Sequence, residues 1–207
     1  MEEWVRLTPS ETAAGRPFTD PARTDGDLVA VRAMTARLRR LLGGSPPPRP
    51  RPLVQEAPEP DGRQHRVILC DDRTLRAAVE PSWVGFFAVK RPEVDPAPLT
   101  LTDDELIQEF PAHPGILSYS SLELADGNWG NLIVLHPPEA REHWRTSEKH
   151  AHAARELAPR HYRVVRLHHG LFPGGLLSGR EPVLVRTKYY DYQGREPWRA
   201  ERELPRP

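Results

Sequence analysis

Nine histidines occur in 207 residues, most of them between His136 and His169, and histidine is the side chain suited to carrying a proton at neutral pH. If the stretch after Pro138 is helical, His143, Ser147 and His150 fall at i, i+4 and i+7 and share one face beside Trp144, Ala151 and Ala154. The small alanines leave room there, so these groups are expected to line a pocket. The plainer reading is a water-facing helix flank. In the segment ending RVVRLHHGL, alternation separates Tyr162, Val164, Arg166 and His168 from Val165, Leu167, His169 and Leu171. His169, in the more apolar row, is expected to face the helices and the pocket. Arg166 and His168 are expected on the opposite surface, with Glu123 as the carboxylate for Arg166. A one-residue shift exchanges the two rows, so both histidines are candidates. Tyr119, Trp129 and Asn131, on neighbouring strands, are candidates for substrate contacts and an aromatic wall.

Other chemistries lack their residues. There is no GxGxxG after a strand, no GxxxxGK[ST] and no GxSxG. His150 and His152 would point about 200° apart on a helix and cannot share a zinc ion. No bound metal is expected. Cys70, the single cysteine, sits after Val67, Ile68 and Leu69 and reads as a small buried hydrophobe. The 29 basic residues balance 29 acidic ones, which argues against a general nucleic-acid or anionic-membrane partner. With no long apolar run and no signal-like start, a cytoplasmic location is expected.

The elements that would position these groups follow from punctuation and period. Residues 27–42 carry Leu28, Val31, Leu38 and Leu41 at helical spacing and stop at Gly43-Gly44. Residues 45–60 hold seven of the 24 prolines and read as an extended linker. Residues 67–70 read as a short apolar strand or a helix lead-in, and strands are expected over 83–90, 116–124, 129–135, 163–171 and 182–192, with the Asp126-Gly127 turn closing a hairpin. Thr102 to Glu105 forms a capping box opening a helix with Leu106, Ile107 and Phe110, and a long helix is expected over 139–158. This divides the chain into an N-terminal extension (1–62), a main domain (63–195) and a tail (196–207).

The order from Trp83 to Leu171 is thus β, α, β, β, α, β, a split unit with two helices on one face of a four-stranded sheet. With the tight hairpin and the helix after Leu135-His-Pro-Pro138, residues 82–192 resemble the dimeric α+β barrel superfamily, which includes antibiotic-biosynthesis and haem-degrading monooxygenases. The resemblance implies a ferredoxin-like α+β fold, a homodimer packed sheet to sheet, and a small-molecule pocket between sheet and helices. It implies a cofactor-independent monooxygenase or a proton-transfer cyclase or isomerase of specialised metabolism. A haem enzyme with a histidine axial ligand is a second reading. The third is a non-catalytic dimeric interaction module presenting the N-terminal helix and proline segment.

Overall fold

The computed structural model describes residues 4–44, 52–137, 139–140 and 147–205. Nine strands join in one mixed sheet: β1 (Val5–Leu7), β2 (Leu53–Pro58), β3 (Gln64–Leu69), β4 (Ser82–Lys90), β5 (Ile116–Glu123), β6 (Trp129–Leu135), β7 (Tyr162–Leu171), β8 (Val183–Asp191) and β9 (Trp198–Glu203). Their order is β1-β9-β8-β7-β4-β6-β5-β3-β2, antiparallel throughout except for the β1–β9 pair. The helices are α1 (Pro21–Gly43), α2 (Asp72–Ala77), α3 (Ala97–Glu109), α4 (Glu148–His152) and α5 (Ala158–His161), with a π turn at Ala153–Leu157 between the last two.

Helix α1 starts at Pro21, whose fixed φ suits the first turn, and Asp20 caps it by accepting from the Ala22 amide at 2.8 Å. Ala30, Val31, Met34, Leu38 and Leu42 lie on one stripe and are buried. They pack against Val67, Leu69, Trp83, Phe87, Leu132 and Val134, which point to one side of the sheet. This side is called the α1 face. The aromatic rings on it lie over glycines: a side chain at Gly130 would meet the Phe87 ring, and one at Gly170 would overlap the Trp83 ring. On the other side, the α3 face, Leu106, Ile107 and Phe110 pack with Ile68, Ile116, Tyr119, Leu135 and Ala140. Helix α4 lies beside α3 there, where Lys149 Nζ pairs with Glu109 Oε1 at 3.4 Å.

The ferredoxin-like dimeric barrel is therefore corrected. The expected strand–helix order is present within the chain, but the sheet continues past β7 into β8, β9 and β1 and past β5 into β3 and β2. The face reserved for a second sheet is covered by the chain's own α1. The monooxygenase, haem and homodimer expectations rested on that barrel and lose their structural ground with it. Two local readings also change. Strand β2 lies inside the stretch read as a linker, with Pro58 at the end of an edge strand, where the absent N–H costs no ladder bond. Helix α3 begins at Ala97, so residues 102–105 lie within it and do not cap it. The first half of the expected 139–158 helix falls largely outside the described residues. Its second half runs through Pro159 to His161.

Candidate functional site

On the α1 face, chemistry-bearing side chains gather around one carboxylate. Asp27 faces the sheet from α1, in line with Val31, Met34 and Leu38. Arg166 donates to it through Nε (2.6 Å to Oδ2) and Nη2 (2.9 Å to Oδ1), the two-pronged geometry that guanidinium and carboxylate share. His168 Nε2 lies 2.8 Å from Asp27 Oδ2, and His168 Nδ1 lies 2.8 Å from Thr187 Oγ1. His168 and Thr187 are fully buried, and Phe87 packs on the imidazole with ring centroids 5.5 Å apart.

Burial pushes the His168 imidazole down, and Asp27 offsets this only in part, so the ring is neutral at pH 7. Its Nε2–H donates to Asp27, and Nδ1 accepts from the Thr187 hydroxyl. Burial pushes the Asp27 carboxyl up, but hydrogen bonds from Arg166 and His168 outweigh it and hold the group below the usual carboxylate range. A second trio fastens the same helix further along. Glu59 Oε1 accepts from Arg37 at 3.1 Å and lies 2.6 Å from His65 Nδ1. Both trios tie α1 to the sheet. With both ring nitrogens engaged and no exposed surface, His168 is closed to substrate and to a haem iron. Glu123, the expected partner of Arg166, instead accepts from the Gln64 amide at 3.1 Å.

This arrangement has a pH signature. Folded His168 holds its proton less readily than the ordinary imidazole, so below about pH 6.5 the unfolded chain binds more protons and stability falls with acidification. Burial also pushes His65 down, which adds to the same phase. Asp27 stabilises the fold above its ordinary value of 3.8, and that contribution disappears as pH falls through its lower folded value. Urea midpoints should therefore decline between about pH 7 and about pH 5. His168→Gln should flatten the slope without abolishing it, since His65 remains. An unchanged slope would mean that His168 is not the buried neutral group described.

The α3 face is different in kind. Cross-strand register sets Asn131 beside Phe86 and Phe86 beside Leu167, and in the adjacent row Ile133 beside Val84 and Val84 beside His169. All six side chains are partly exposed, in contrast to the closed interior under α1. Asn131 Oδ1 is shut off from water and has no hydrogen-bond partner among the described residues. A buried acceptor left unpaired costs about 1–3 kcal/mol.

His169, Asn131, Trp129 and Tyr119, all singled out in the sequence, point to this side. Tyr119 is mostly filled in, packed on Phe110 at 5.5 Å. Trp129 is partly exposed next to Glu123. Ser147 caps α4, accepting from the His150 amide at 3.2 Å and donating to Glu109 at 2.8 Å, which places it in the helix layer away from the strand rows. His150 is partly exposed on α4. His143 and Trp144 lie outside the described residues. Arg166 and His168 are separated from this face by the sheet itself.

Sequence reasoning missed Asp27, Thr187 and Phe86. Asp27 did leave a signal, being an acid at helical spacing within an apolar stripe. Cys70 is no nucleophile, because burial and then the neighbouring Asp71 push its thiol up to about 12. Among the described residues no cluster of three or more metal-ligating side chains occurs, and no helix is long and apolar enough to cross a membrane. A groove of about 520 Å³ between α3 and α4 is lined by Pro98, Leu101, Glu105, Lys149 and His152 among others, and among the described residues its lining holds none of the candidate catalytic or substrate-contact residues. No family model, no curated protein and no solved structure matches this chain.

Proposed function

We propose that this protein binds a small, largely apolar or aromatic molecule on the α3 face of β4, β6 and β7, with His169 placed to carry a proton to or from it. The observation that carries the reading is Asn131 Oδ1, a dry and unpaired acceptor beside the partly exposed Phe86 ring. Pockets for small molecules combine an apolar floor with a few fixed polar groups, and that is the composition of these two rows. The ligand's apolar body covers Phe86 and Leu167, and a donor on it reaches Asn131 Oδ1 once the side chains that shut that oxygen off from water turn aside. His169 closes the adjacent row, and an imidazole is the side chain suited to both removal and return of a proton in a cyclisation or isomerisation, once the movement that frees Asn131 also opens its ring nitrogens, which are shut off from water. The reading requires no cofactor.

Amide chemical-shift mapping of the isotope-labelled chain against a panel of one- and two-ring aromatic compounds tests it. Saturable shifts should cluster at Phe86, Asn131, Leu167 and His169. Saturable binding that maps elsewhere, or no binder in the panel, would overturn it.

A further inference from the structure

We propose that the groove between α3 and α4 binds a small amphiphilic amine, at a site in the helix layer separate from the strand rows described above. The two helices lie side by side. On α3, Pro98, Leu101 and Glu105 fall at i, i+3 and i+7 and share the side that lines the groove. The opposite wall is Glu148, Lys149 and His152 of α4, with Leu157 from the π turn. A volume of about 520 Å³ lies within the range of about 300–1,000 Å³ that holds small molecules. Leu101 is 66% exposed, an aliphatic surface that a ligand's apolar body covers.

The polar groups around the groove carry an excess of negative charge. Lys149 is shared between two acids of α3: its Nζ lies 3.4 Å from Glu109 Oε1 and 3.8 Å from Glu105 Oε2. His152 Nδ1 is turned to Glu156 Oε1 at 3.3 Å. No cation among the described residues pairs with Glu148. Three carboxylates, Glu105, Glu109 and Glu148, thus stand against one ammonium. A ligand ammonium supplies the missing positive charge, whereas a ligand anion meets the same carboxylates as repulsion and a neutral ligand leaves the excess as it was. The side chains of Glu105 and Lys149 are 58% and 44% exposed, so charge selects the ligand class while contact with Pro98 and Leu101 holds its body.

Dansylcadaverine, an aromatic body on a short chain ending in an ammonium, and its N-acetyl derivative, which lacks that charge, make the test. Each is titrated by fluorescence into the full chain at neutral pH and low salt, with cooperative melting checked for every variant. The ammonium compound should bind saturably and about fivefold tighter than the acetylated one, a preference that fades as salt is raised. Glu105→Gln should reduce the preference and Lys149→Gln should increase it, opposite signs that a change in fold alone does not produce. Leu101→Ser should weaken both compounds several-fold. Amide shifts induced by the ammonium compound should cluster at Leu101, Glu105, Lys149 and His152, apart from the strand residues that test the α3-face reading. Equal affinities, or a preference unmoved by either charge variant, overturn the amine. Shifts confined to the strands, unchanged affinities in Leu101→Ser, or no saturable binding overturn the groove as the site.

Discussion

Asp27→Ala should lower the unfolding free energy by about 3–5 kcal/mol, the cost typical of removing one partner from a buried ion pair. Arg166 would keep a guanidinium in the interior without its two acceptor oxygens, and His168 would lose the acceptor for its Nε2–H. Neither group can turn to water, because Phe87 lies against the imidazole and α1 closes the face. The loss should concentrate on α1, whose amides should exchange early while those of β4 and β7 stay protected. Replacing the whole network, as in an Asp27→Leu, Arg166→Met, His168→Leu variant, should recover most of the loss, since apolar groups of similar volume need no partners. Urea unfolding of both variants measures this. A cost below about 1 kcal/mol for Asp27→Ala would show that the carboxylate is not the dry hub described.

Gly170→Ala should cost about 3 kcal/mol, at the upper end for overpacking, whereas Gly26→Ala should stabilise the chain by about 0.5–1 kcal/mol. A methyl at position 170 overlaps the Trp83 ring on one side and the Val183 carbonyl oxygen on the other. Trp83 is fully buried and its Nε1 donates to the Leu171 carbonyl at 3.1 Å, so the ring cannot slide away without breaking that bond. Gly26 lies inside α1 with nothing within 4 Å of a Cβ, and alanine there only removes conformational freedom from the unfolded chain. Equilibrium unfolding should place the two substitutions on opposite sides of the unaltered protein. Similar values would contradict the packing of Trp83 over β7.

The strands that carry the candidate site were legible because their sequences obey simple rules. SWVGFFAVK, ILSYSSLE and WGNLIVL are rich in β-forming residues, and Asp126-Gly127 supplies the turn, with Gly127 at φ +77°. The alternation that set His169 apart from His168 holds in the structure, because β7 runs in register beside β4 through both histidines. What lay on the far side of the sheet was not legible from periodicity. Helix α1 showed an apolar stripe, but a stripe does not say which surface it covers. The Asp27–Arg166 contact spans 139 residues of chain, which local pattern cannot reach.

Strand β9 was hidden by Arg202, which points into the interior where alternation calls for an apolar residue. It is satisfied there by the Tyr189 hydroxyl and by the carbonyls of Thr8, Glu11 and Thr19. Strand β2 was hidden by the prolines around it and by Pro58 at its end, which an edge tolerates. The resemblance to a dimeric barrel failed for the same reason. The elements it rested on are present, but five further strands and α1 take up the sheet edges and the face that the barrel requires to be free.

Asn131→Leu tests most directly whether the α3 face is built for a ligand, because it separates function from stability. A side chain retained for a ligand, with its acceptor dry and unpaired in the free protein, is a burden on the fold. Leucine of nearly the same volume should raise the unfolding free energy by about 1–3 kcal/mol while weakening the saturable binding of the one- and two-ring aromatic compounds. Loss of stability together with unchanged binding would contradict the claim, since Asn131 would then be serving the fold and not a ligand.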